Sequence, residues 1–137
     1  MELAIGVPML VLVILITSAS FVMARTNLHV NAAASAAARA ASLARSTHAA
    51  NRDATDAAEA NLAGRCDSLG IDVDTGGFRR GGLVRVTVSC RVTLRGLTGI
   101  GLPGATTVAA TATSPIDVYR HLEPAAGTPP REGGRHA

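Results

Sequence analysis

The chain has 137 residues, with 13 arginines, no lysine, 10 acidic residues, four histidines and a formal net charge of +3. That length allows one domain of ordinary size. Aromatics are 2% of it (Phe21, Phe78 and Tyr119), so any core rests on Ala, Val, Leu and Ile and buries little area per residue. The arginines are dispersed, with no basic block and no interleaved rings, which speaks against nucleic-acid binding. The mean hydropathy of +0.27 comes mostly from the N-terminal end.

Residues 3–24 read LAIGVPMLVLVILITSASFVMA, 22 residues without a charge. As a helix they extend about 33 Å, the hydrocarbon thickness of a bilayer. Arg25 closes the run, and Pro8 falls in its second turn, where a missing N–H costs little. Three readings fit this segment. One is a cleavable secretory signal ending at Val22-Met23-Ala24, against which stand the acidic Glu2 and the length of the run. Another is a transmembrane anchor continuing into the next helix. The third is a pilin-type anchor, held first in the membrane and later in a polymer. Glu2 is correspondingly either a solvated interface residue or a carboxylate that meets the N-terminal amine of a neighbouring subunit.

Glu2, Ala4 and Pro8 match a V-E-x-A-x-x-x-P opening. In this the chain resembles the TadE/TadG-like family, pseudopilin-like minor subunits of tight-adherence (Tad, or Flp-type) pili. The family's basic leader does not precede Glu2, and Met1 stands where the family has an apolar residue. We expect the translation start to lie upstream, which would also supply cytoplasmic positive charge for an N-in, C-out orientation. The resemblance implies a non-catalytic subunit in adhesion-pilus assembly, with Glu2 and Pro8 in subunit docking. It implies membrane lipid, Tad assembly proteins and other pilin-like subunits as partners, and homo- or hetero-polymerisation through the N-terminal helix. The residues alone leave a second reading open: a bitopic membrane protein whose outer domain binds a partner and never polymerises.

Of the 26 alanines, 16 lie between Ala32 and Ala63. Helix propensity is high from Thr26 to Ala63, and Gly64 is the first helix-ending residue. We expect one Ala-rich stalk helix over 26–64. With the apolar run it forms a continuous helix of about 60 residues and 90 Å, with Asn27, Asn31 and Ser46-Thr47 as possible breaks. Arg52 and Asp56 have pairing distance on one face. The small side chains serve either a helix–helix assembly seam or a spacer propped on the following sheet.

Beyond Gly64 the period changes to two. Val84, Val86, Val88, Cys90, Val92 and Leu94 alternate with Arg85, Thr87, Ser89, Arg91 and Thr93, which predicts a strand. Leu69, Ile71 and Val73 predict a shorter one, paired as an antiparallel hairpin across a loop bounded by Gly76-Gly77 and Gly81-Gly82. Residues 96–104 read as a turn-rich connection and 105–114 as a third strand. Ser114-Pro115 interrupts it, and 116–119 can continue it at an edge. The Pro/Gly-rich tail, 121–137, is expected to be disordered. The fold class is therefore α+β and pilin-like: a long N-terminal transmembrane and stalk helix on a small antiparallel sheet of three to four strands. The organisation is an anchor (1–25), the stalk (26–64), an extracytoplasmic sheet domain (65–120) and the tail.

Cys66 follows the helix and Cys90 lies on the apolar face of the long strand. Bridged, they close a loop of about 25 residues worth around 3 kcal/mol; unbridged, they are two buried thiols. A bridge requires an oxidising compartment, which places the sheet domain outside the cytoplasm on a single-pass membrane protein. No catalytic, cofactor or metal pattern is present. His29, His48, His121 and His136 are isolated in sequence, and Asp72 with Asp74 does not make a calcium site.

Overall fold

The computed structural model describes residues 2–93, 104–119 and 121–122. Two helices and three strands follow one another: α1 (Glu2–Leu43), α2 (Thr47–Leu62), β1 (Ser68–Asp74), β2 (Leu83–Thr93) and β3 (Ala105–Pro115). The fold is α+β. The strands form one antiparallel sheet of order β1-β2-β3. Helix α1 lies over β2 and β3, and α2 lies beside α1 over β1.

Helix α1 has 42 residues and so extends about 63 Å. It passes through Pro8 and past both asparagines. The Asn27 and Asn31 amides donate to carbonyls one turn earlier, Met23 O at 3.2 Å and Asn27 O at 2.9 Å. Their side chains thus lie along the helix instead of capping a new one.

The chain turns back at 44–46. Ser46 is the N-cap of α2: its backbone is extended and its Oγ accepts from the Ala49 N–H at 3.2 Å. Of the three candidate breaks only Ser46-Thr47 is realised, so the expected helix is two helices and the Ala-rich segment is a helical hairpin. A serine cap is worth only about 1 kcal/mol, too little by itself to stop a run with this propensity. Tertiary burial decides the matter. The return helix buries Ala50, Ala54, Ala58 and Leu62, at about 0.8 kcal/mol per methyl and 1.5–3 kcal/mol for the leucine. Those four face the stripe Val30, Ala33, Ala34, Ala37, Ala38 and Ala41 of α1, all buried in the same core. The alanine excess is consumed as an internal seam where two helices and a sheet approach closely.

The sheet's inner face is the predicted one. Val84, Val86, Val88 and Cys90 are fully buried. Their cross-strand partners in β1 are Val73, Ile71 and Leu69, opposite Val86, Val88 and Cys90. In β3 they are Ser114, Ala112, Ala110 and Val108. The one buried polar side chain among the described residues, Ser42, is satisfied twice. It donates to Arg39 O at 2.8 Å and accepts from Ser114 Oγ at 3.1 Å, which pins α1 to β3.

Two details depart from expectation. Residues 116–119 do not continue β3: the Ile116 N–H binds Gly82 O and Ile116 O accepts from Gly81 N–H, after which the chain turns. Arg52 sits 3.5 Å from Asp53, its neighbour, in an exposed pair, in place of Asp56. The connection expected over 96–103 and most of the tail lie outside the described residues. The 75–82 hairpin is compact enough to demand glycine, since a Cβ on Gly82 would come within 2.0 Å of Gly77 O and 2.9 Å of Arg79 O.

Candidate functional site

The predicted site residues fall into two groups, which the structure keeps apart. Glu2 opens α1 and Pro8 lies in its second turn. Val30, where burial begins, is about 33 Å along the helix from Pro8. Cys66 and Cys90 are brought together: they form a disulfide with a Cα–Cα distance of 5.4 Å. Cys66 follows α2 and Cys90 lies on the inner face of β2 beside Leu69. The bond therefore ties the end of the helical hairpin to the middle strand.

The N-terminal half of α1 has no partner within the chain. Residues 4–21 are exposed all round, including Ile5, Leu10, Val13 and Ile16. One helix among the described residues is long and apolar enough to cross a membrane, and it is this one. Two of its hydroxyls, those of Thr17 and Ser20, are suited to that role. Thr17 Oγ1 donates to Val13 O at 2.7 Å and Ser20 Oγ to Ile16 O at 2.9 Å, so neither leaves a polar group needing water.

The apolar segment ends in a built environment. The Arg25 guanidinium lies over the Phe21 ring, 5.8 Å from its centroid, pointing back along the helix as helical side chains do. Four residues on, His29 meets Arg65, which arrives from the far end of the hairpin. Arg65 Nη1 is 2.9 Å from His29 Nε2. A guanidinium only donates, so Nε2 is the acceptor in this contact. Arg65 reaches this position because Gly64 takes a left-handed conformation (φ +69) just after the α2 cap. Phe21, Val22, Arg25, Thr26, His29 and Arg65 together line a half-open cleft of about 280 Å³.

Comparison of the chain with protein-family models, with curated proteins and with solved structures finds no match. The site must therefore be read from its own geometry. What that geometry adds is the cluster at the exit of the apolar segment. In the sequence Arg25 stands out only as the residue closing the run and His29 only as an isolated histidine, and Arg65 carries no signal of its own. His29 and Arg65 are 36 residues apart, and only the reversal at 44–46 joins them. The other isolated histidines acquire no such partner among the described residues: His48 is exposed in the first turn of α2 and His121 is exposed after β3.

Proposed function

We propose that this chain is a membrane-anchored structural subunit of the minor-pilin kind, acting without catalysis in the assembly of a tight-adherence pilus. One observation carries this: α1 is a single unbroken helix whose first half is apolar and uncovered and whose second half is built into the core. Force or displacement applied to the anchor reaches the sheet layer without a hinge. In the membrane, lipid covers residues 3–24; in a polymer, the same surface packs on other subunits. The opening Glu2, Ala4 and Pro8 and their resemblance to TadE/TadG-like subunits supply the specific assignment. Glu2 then neutralises the amino terminus of a neighbour during docking.

The sheet layer faces an oxidising compartment in this reading, since its disulfide persists there. One finding favours the alternative, a bitopic protein that binds a partner and does not polymerise. The small-residue stripe suited to contacts between subunits is spent inside the chain, which leaves polymer contacts to the larger side chains of residues 3–24. The two readings are separated by fractionation. A pilus subunit is recovered in sheared pili, and Glu2→Ala lowers that recovery at least several-fold with the membrane pool unchanged. Recovery in membranes alone, with pili forming normally in a deletion strain, would establish the alternative.

A further inference from the structure

We propose that the cleft at the exit of the apolar segment holds the phosphate of an anionic phospholipid between Arg25 and Arg65. The proposal rests on reading residues 3–24 as a membrane span. The cleft straddles the end of that span. Its lining positions on α1, from Phe21 to His29, share one helix face and rise about 12 Å. Phe21 and Val22 line the cleft from within the apolar run, and Arg25 and Arg65 line it beyond the end of that run. The apolar-to-cationic order along the helix is the order from glycerol ester to phosphate in a lipid.

The charges suit this occupant. No carboxylate lines the cleft, and neither arginine has an acidic partner within salt-bridge distance among the described residues. Arg65 spends one N–H on His29 and keeps the others of its planar fork, a geometry that matches phosphate oxygens. The contact with His29 fixes one edge of the guanidinium, and Gly64 sets the turn that delivers it. Arg25 lies over Phe21, so its exposed guanidinium is drawn back to the level of the last apolar turn. Thr26 Oγ1 is occupied, bonded to Val22 O at 3.1 Å, which leaves the two arginines as the binding groups. The covalent continuity of the apolar wall with the span favours a lipid over a soluble anion or an acidic side chain from another protein.

The test uses the full oxidised chain in mild detergent. It is mixed with equal amounts of phosphatidylglycerol and phosphatidylcholine of matched acyl chains, and the retained lipid is counted by native mass spectrometry. We expect one phosphatidylglycerol to be retained in preference. Arg25→Gln and Arg65→Gln should each reduce that preference about fivefold, and the double variant should reduce it further than either alone, by a factor that need not be their product because the two share one phosphate. Arg39→Gln, exposed farther along α1, should leave it unchanged. Equal retention of the two lipids by the wild type, or an unaltered preference in the double variant, overturns the proposal. Release of the lipid by millimolar inorganic phosphate overturns it in favour of a soluble-anion site. Carbonate extraction of the same proteins reads the span separately. A protein washed off the membrane refutes the span itself, whereas one that stays and shows no lipid preference refutes only the cleft.

Discussion

Replacing Cys66 by Ser together with Cys90 by Ala opens the disulfide that cross-links the end of the helical hairpin to the middle strand. The bridged residues are 24 apart, and freeing a loop of that length restores unfolded-state entropy worth about 3.5 kcal/mol. Cys90 is fully buried between Val88 and the end of β2, so losing its sulfur adds up to about 1 kcal/mol of lost burial. In a packed layer of 60–100 residues each kcal/mol lowers the melting temperature by about 4–8 °C. The double variant should therefore melt about 15–35 °C below the wild type. Circular dichroism of both proteins in mild detergent measures this, with the apolar first half of α1 as a constant helical baseline. Reductant added to the wild type should produce a similar shift. A fall smaller than about 5 °C would show that the alanine seam alone holds the hairpin to the sheet, and would refute the role assigned to the bridge.

Ala54→Leu forces three extra carbons into the seam between α2 and α1, where Ala54 is fully buried. Chemical denaturation should show a loss of about 1–3 kcal/mol. Ala32→Leu, on the exposed face of α1, should change stability by less than about 0.5 kcal/mol. Gly82→Ala places a methyl group against Gly77 O. It should destabilise the protein by about 2 kcal/mol or more, read in the same denaturation series, while Gly6→Ala, with nothing within 4 Å, should be neutral.

Much of the sheet was legible because a two-residue period has one meaning. The alternation from Val84 to Val92 names the buried face, and the glycines around Phe78 mark the hairpin. The bond between Cys66 and Cys90 followed from placing one beside the helix end and the other on that buried face. The reversal at 44–46 was less so. Leu43-Ala44-Arg45-Ser46 contains neither Gly nor Pro, and propensity is nearly uniform on both sides of it. The decision is made by burial between residues far apart in sequence, which local pattern does not contain. The same cause hid the cleft at the span's exit, since His29 and Arg65 meet only after the hairpin closes. Residues 116–119 misled for a related reason. Val118 and Tyr119 suit a strand, but Ile116 is engaged by Gly81 and Gly82 and no further strand lies there to pair with them.

In the proposed function residues 3–24 cross a membrane and carry the sheet layer on its oxidising side. Trypsin added to right-side-out and inverted membrane vesicles tests this most directly, because Arg79 and Arg80 are exposed in the hairpin loop and lie inside the loop closed by the disulfide. The account predicts cleavage there in right-side-out vesicles only, with the two fragments held together until reductant is added. Cleavage confined to inverted vesicles, or loss of the protein from both on carbonate washing, would contradict it.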